Sequence, residues 1–503
     1  MKKIKRRAAL VAASAAVFSL TVPLAASAAP EGRAPDGPAW ERCEGGGADP
    51  RQECATVQVP LDYADPDGRQ ISLAISRIRS EKPQSRRGAL LLIPGGPGNT
   101  GLNGPTDRAK QLPASVRDAY DLIGFDPRGL GRSTPVSCGF ARGDLSPMKL
   151  RPWPGPDGSL DESVATGRRM ARACERSGEA DGGALLRSLT TANEARDLDR
   201  IRAALGERKI SAWSVSYGTY PGAVYNQLFP HRVDRLVLDS NDNPDPTKVG
   251  RGWIAAHEAG VEDSFPAFAK WASDPGNPLR LAQREDEVRP LFLHLAQELD
   301  RKPIPWPGAN PAELNGNVLR HELLSALYAP RESFDGLAEL ILAARAGKVP
   351  PAPPAPPEDF MQNAATVGTA VVCNDVKWPT DAATYQRGVD ESRARFPLTA
   401  GMPRGVTPCA FWPYAPKEPP VRITDRGPSN VLLVQNARDV ATPLAGALEL
   451  RKALGGRARM VTVDSTGHDA YLDNGNECGD RTVTRYLVTG KRPGRDVYCA
   501  TAG

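Results

Sequence analysis

Short apolar runs separated by helix-length polar segments mark most of this chain. Residues 88–93 (GALLLI) are apolar throughout, as expected of a strand buried on both faces of a sheet. Residues 121–125 (DLIGF), 209–215 (KISAWSV), 235–239 (RLVLD), 430–435 (NVLLVQ) and 459–463 (RMVTV) repeat the theme. Residues 54–60 (CATVQVP) and 70–76 (QISLAIS) alternate instead and predict an opening hairpin. Strands spaced by helix-length segments predict an α/β fold with a mostly parallel sheet flanked by helices.

The period changes between residues 245 and 422. Apolar side chains recur there at helical spacing: Ile254, Val261, Phe265 and Phe268, then Val288, Leu291, Leu295 and Leu299, then Leu323 and Leu327, then Phe334, Leu337 and Ile341. The proline run at 350–357 predicts a stiff connector. The pattern predicts a sheet-bearing core in two parts, 41–245 and 423–503. A large helical cap, 246–422, is inserted after the sixth strand, over the carboxyl ends of the strands.

The amino terminus reads as an export leader. Met1 to Arg7 is basic, residues 8–25 are apolar, and Ala26-Ser27-Ala28 offers a small-residue cleavage site. Residues 1–28 are therefore expected to be a signal peptide, with 29–40 the mature start or a propeptide. Lys2, Lys3, Lys5, Arg6 and Arg7 account for the whole formal charge of +5, which leaves the mature chain near neutral. That balance argues against a nucleic-acid partner. No later apolar run is long enough to span a bilayer, so no membrane association is expected after cleavage.

Eight cysteines in an exported chain favour disulfides. Many pairings are possible. The spacing suggests Cys43 with Cys54, Cys138 with Cys174, Cys373 with Cys409, and Cys478 with Cys499. Metal ligation is the rival reading, but the chain has no Cys-x-x-Cys or His-x-x-x-His spacing, and no metal is expected.

The chemistry centres on Ser214-Val-Ser216-Tyr-Gly218, which follows the strand at 209–215. Small residues two before and two after a serine make a nucleophile elbow, the sharp strand-to-helix turn that holds the hydroxyl proud of a sheet. A serine needs a base, and the base needs a carboxylate. Of five histidines, His468 alone lies just past a strand, in Asp464-Ser-Thr-Gly-His468. His257, His294 and His321 fall in the proposed cap helices and His231 in a turn. Asp439 follows the strand at 430–435, so Ser216, Asp439 and His468 occur in the order of elbow hydrolases. Gly95 and Gly96, in the loop Pro94-Gly-Gly-Pro-Gly98, and Tyr217 after the serine are the expected backbone donors to an oxyanion.

These motifs, with Phe125-Asp-Pro-Arg-Gly-Leu-Gly-Arg-Ser133 and Asp439-x-x-Thr442-Pro443, resemble the α/β-hydrolase aminopeptidases that include prolyl iminopeptidase. The nearest likeness is to secreted actinobacterial tripeptidyl aminopeptidases, over essentially the whole mature chain. Pro94 and Ser214 depart from the usual histidine and glycine of the first group. The resemblance implies a serine exopeptidase acting on peptides with free amino termini, without metal or organic cofactor. It also implies acids in or beside the cap that hold the substrate ammonium. Candidates are Asp239, Asp242, Glu258, Glu262 and Asp375, of which one or two are expected to serve. A prolyl iminopeptidase or an esterase of the same fold, and a non-catalytic exported binding protein, remain as alternatives.

Overall fold

The computed structural model describes residues 37–44, 48–178, 183–352 and 354–500. The proposed leader lies outside the described residues. Ten strands form one sheet: β1 (Glu41–Arg42), β2 (Glu53–Pro60), β3 (Gln70–Ile78), β4 (Gly88–Ile93), β5 (Tyr120–Phe125), β6 (Ile210–Val215), β7 (Val233–Asp239), β8 (Val431–Arg438), β9 (Ala458–Thr466) and β10 (Val497–Cys499). Their spatial order is β1-β2-β3-β5-β4-β6-β7-β8-β9-β10. β1 with β2, β2 with β3 and β3 with β5 are antiparallel. All other neighbours run parallel.

Every residue of β4 is buried, as its apolar run requires. Its side chains alternate between two clusters. Leu91 and Ile93 join Ala212, Leu236 and Leu433 on one face. Leu90 and Leu92 join Trp213, Val237 and Leu432 on the other. Each such large aliphatic side chain contributes about 1.5–3 kcal/mol through burial.

Eleven described helices have ten or more residues: α1 (Asp161–Ser177), α2 (Thr191–Ala204), α3 (Thr219–Leu228), α4 (Arg251–Ser273), α5 (Glu285–Arg301), α6 (Gly316–Ala326), α7 (Pro330–Arg345), α8 (Glu358–Asp375), α9 (Ala382–Arg395), α10 (Leu444–Leu454) and α11 (Glu477–Thr489). Polar caps set several starts. Thr190 accepts from the Asn193 N–H at 3.2 Å ahead of α2, and Asn476 from the Gly479 N–H at 3.0 Å ahead of α11. These side chains satisfy amides that have no partner within the helix.

The helices from α4 to α7 build a second core from Phe265, Phe268, Phe292, Leu323, Phe334 and Ile341. Val440 and Ala441, just after β8, join that core. α8 packs the other way, lending Val367, Ala370 and Val371 to a sheet-face cluster. The only strands described between α4 and α9 are a two-residue ribbon, Ile304–Pro305 with Glu313–Leu314. Disulfides join Cys43 to Cys54, Cys138 to Cys174, Cys373 to Cys409 and Cys478 to Cys499. No helix among the described residues is long and apolar enough to cross a membrane.

Candidate active site

β6 ends at Val215, and the chain turns sharply into α3. Ser216, at the turn, has φ of 57°, in the left-handed region that a non-glycine residue adopts only when the surroundings enforce it. The turn is tightly enclosed. A Cβ on Gly218 would lie 2.5 Å from the Pro94 carbonyl oxygen, so only glycine fits there. A Cβ on Gly222 would lie 2.4 Å from Ser214 Oγ. Ser214 thus occupies space that Gly222 leaves open, and its buried hydroxyl has no hydrogen-bond partner among the described residues. A Cβ on Gly95 would come within 3.0 Å of Ser216 Cβ, which places the glycine loop directly alongside the serine.

The candidate base and carboxylate, His468 and Asp439, follow the ends of β9 and β8. His468 Nδ1 is 2.9 and 3.0 Å from the two Asp439 oxygens. Asp439 also accepts from the Ala441 and Thr442 N–H groups at 2.9 Å, the Thr442 hydroxyl at 3.1 Å and the Gln435 amide at 3.3 Å. Burial opposes ionisation of Asp439, yet the His468 charge and these donors hold its pKa below the usual value. Burial likewise opposes charge on His468, but Asp439, followed by Asp469, raises its pKa well above 6.5. With Nδ1 donating to Asp439, Nε2 is the nitrogen left to accept a proton. Nε2 lies 3.7 Å from Asp469 Oδ1. Asn436 on β8 steadies the loop by donating to the Gly467 and Asp469 carbonyls at 2.9 and 3.0 Å.

Two cavities meet at Ser216. The first, about 390 Å³, is walled by Tyr217, Trp253, Ile254, Trp378 and Met402, with Asp242 and His257 among its polar groups. The second, about 900 Å³, is lined by Asn99, Asn103, Asp107, Arg108, Gln111 and His468. Gly96, Pro97, Asn99, Arg151, Ser216 and Tyr328 face both.

The five acids considered for the substrate ammonium are placed very differently. Asp242 lines the first cavity beside Ser216 and Tyr217. No hydrogen bond or ion pair among the described residues engages its carboxylate, and burial pushes its pKa up to about 7. The structure does not bring the other four into that cavity. Asp239 is fully buried at the end of β7, accepting from the Ala470 and Tyr471 N–H groups at 2.8 and 3.0 Å. Asp375 accepts from the Thr191 N–H at 2.9 Å and from its hydroxyl, behind Tyr217. Glu258 pairs with Arg404, and Glu262 with Arg289. The helical period explains the last two. Trp253, Ile254 and His257 form the cavity-facing side of α4, and residues 258 and 262 lie off that side.

Sequence reasoning missed three cap-side residues. His257, placed in a cap helix without a role, faces the first cavity, and its Nε2 lies 3.3 Å from the Tyr328 hydroxyl. Burial, then the charge of Arg151, push its pKa down to about 3, so it stays neutral. Tyr328 accepts the His468 backbone N–H at 2.8 Å and sets its ring edge-on to the imidazole, 5.1 Å between centroids. Arg151 donates to the Tyr328 hydroxyl at 3.2 Å. No motif marks any of the three.

Known proteins give this site a context. Residues 395–499 match the Abhydrolase_4 family, described as TAP-like protein. The chain is 36% identical over 475 residues to tripeptidyl aminopeptidase of Streptomyces lividans, covering 92% of this chain and 86% of that one. Serine protease Hip1 of Mycobacterium tuberculosis is 30% identical over 463 residues, 89% of this chain and 87% of the relative. Carboxylesterase B of the same species is 30% identical over 489 residues, 92% and 89% of the two chains. The chain is therefore a serine hydrolase of the α/β-hydrolase fold and belongs to the tripeptidyl aminopeptidase-like (TAP-like) peptidase family.

Proposed function

We propose that this chain is a secreted exopeptidase that releases short peptides, with tripeptides preferred, from free amino termini. The observation that carries this reading is Asp242, a carboxylate without a protein partner facing an otherwise largely apolar cavity beside Ser216. A charge-assisted contact in such a place is strong, because little water competes for it. The name of the Streptomyces lividans relative supports the tripeptide unit. The four disulfides and the leader-like amino terminus support export.

In this reading Ser216 attacks the scissile carbonyl. His468 Nε2 takes the hydroxyl proton and then delivers it to the leaving amine. Asp439 keeps the ring in the correct tautomer and stabilises its protonated form. The Tyr217 N–H and the Gly95–Gly96 backbone face the developing oxyanion, where each well-aimed donor contributes about 3–4 kcal/mol. Water enters by the same route and releases the acyl peptide. The acyl portion occupies the first cavity with its ammonium on Asp242, and the leaving portion the second.

The test compares chromogenic tripeptide, dipeptide and single-proline anilides, each with a free and an acetylated amino end. The expected result is the highest kcat/KM on free tripeptides, with the preference for the free end lost in Asp242→Asn. That preference should be strongest between pH about 7, where Asp242 ionises, and pH about 8, where an α-ammonium deprotonates. Indifference to acetylation would overturn the exopeptidase reading. The apolar cavity and the likeness to carboxylesterase B favour an esterase as the second reading. Faster turnover of acetylated p-nitrophenyl esters than of any free peptide anilide would select it.

A further inference from the structure

The two cavities share six lining residues, and among them only Arg151 carries a charge. Arg151 therefore lines the boundary between the two cavities, as Ser216 does. The second cavity holds another cation, Arg108, but that one is already matched by Asp473 at 3.0 Å and Asp469 at 3.7 Å. Arg151 has no carboxylate partner among the described residues. It is held by a neutral hydroxyl, Tyr328, and lies over the same ring, 5.8 Å from its centroid. A planar guanidinium fixed in this way presents its remaining N–H groups as a fork suited to a carboxylate.

We propose that Arg151 is a specificity-determining residue that binds a carboxylate on the leaving side of the scissile bond. This rests on the peptidase reading above. Two sources have the same chemistry: the side chain of an acidic residue directly after the cut, or the free carboxyl terminus of a one-residue leaving group. The acyl side is the poorer host, because Trp253, Ile254, Trp378 and Met402 would strip water from an acid without replacing it. The leaving side offers the amides of Asn99, Asn103 and Gln111 to solvate a carboxylate up to the guanidinium; of its two acids, Asp469 lies 3.7 Å from Arg108, and Asp107 is the like charge a substrate carboxylate must avoid.

The test uses two matched pairs of tetrapeptides, with tripeptide release followed by chromatography. Ala-Ala-Ala-Asp-amide against Ala-Ala-Ala-Asn-amide isolates the side chain. Ala-Ala-Ala-Ala with a free carboxyl end against its amide isolates the terminus. In at least one pair the wild type should prefer the carboxylate by about tenfold to a hundredfold in kcat/KM, the range of a charge-assisted contact. The pair that shows the preference identifies the source. In Arg151→Gln the ratio should collapse to about one, and Arg151→Lys should restore part of it, since a point charge remains without the fork. The ratio is internal to each variant, so loss of folded protein cannot imitate its collapse. Should Arg151→Gln fail to fold, the ratio in Arg151→Lys decides alone: a value equal to wild type overturns the proposal.

Wild-type cleavage of both pairs without preference overturns the proposal and leaves the peptidase reading intact. An undiminished ratio in Arg151→Gln does the same. So does an Arg151-dependent preference for aspartate before the cut, read with Ala-Ala-Asp and Ala-Ala-Asn anilides. A wild type that cleaves none of the peptides removes the peptidase reading and this proposal with it.

Discussion

The two walls of the site are built differently. On the sheet wall, Asp439 is saturated by His468, Gln435, Ala441 and Thr442, and the serine is fixed by a turn with no spare volume. On the cap wall, His257, Tyr328 and Arg151 form a chain of single contacts of 3.2–3.3 Å. Arg151 there, and Asp242 three residues past the end of β7, face open space rather than protein carboxylates or ammoniums. The contrast separates two tasks. Under the proposed function, the groups that would move a proton sit on strand ends and backbone amides, where small errors of position are suppressed. The groups proposed to read the substrate sit where the protein supplies no ion-pair partner.

The comparison breaks first at Asp439. Asp439→Asn should lower kcat by about 10⁴-fold through the wrong imidazole tautomer while substrate affinity is largely kept. A fall of less than tenfold would mean that the sheet wall does not hold the base as described. The next effect is on the cap's own core. Phe268 is fully buried against Phe265, Trp271 and Phe334. Phe268→Ala should cost about 3–5 kcal/mol in a denaturant melt. A loss below about 1 kcal/mol would show that the cap refills the hole and that its wall is softer still.

The smallest effect is on pH dependence, and it sharpens the contrast between saturated and unsaturated acids. Burial raises the pKa of Glu194 to about 8 and those of Asp242 and Asp375 to about 7. A carboxyl raised on folding binds its proton more tightly in the folded chain. Its contribution to stability is complete below the unfolded value of about 4 and is lost as pH rises through the folded value. His468, also raised, adds a loss of the same sign above its unfolded value of about 6.5. Asp439, which is lowered, works in the opposite direction but only near and below pH 3.8. The melting temperature should therefore fall steadily between pH 5 and pH 8. A flat or rising curve across that window would contradict the assignment of these acids as buried without an ion-pair partner among the described residues.

Much of the sheet was legible because buried parallel strands leave unbroken apolar runs. β4 follows the run at 88–93 residue for residue, and β6 differs from its run by one position. β10 went unseen because three residues at a sheet edge carry no such run, and partial exposure removes the hydrophobic signal. Ser216, His468 and Asp439 could be nominated from sequence because each falls next to a strand end, and the structure brings His468 and Asp439 into contact. The cap wall was not. Tyr328 follows α6, and Arg151 follows a four-residue helix, Pro147–Leu150, more than sixty residues before Ser216. Only the packing of the cap onto the loops after β4, β8 and β9 brings them to the site. Sequence spacing could nominate five acids. It could not separate Asp242 from Glu258 or Glu262, because that choice depends on which side of α4 faces inward.

The crowding between positions 214 and 222 also constrains how this enzyme can change. An alanine at 222 would meet the Ser214 hydroxyl at 2.4 Å and a Leu238 methyl at 3.3 Å, so that change is eased by first trimming position 214 to glycine, whereas the reverse order passes through the tighter intermediate. The two sites bias the order of mutational drift, with the nucleophile turn held hostage to the sequence in which its neighbours are exchanged.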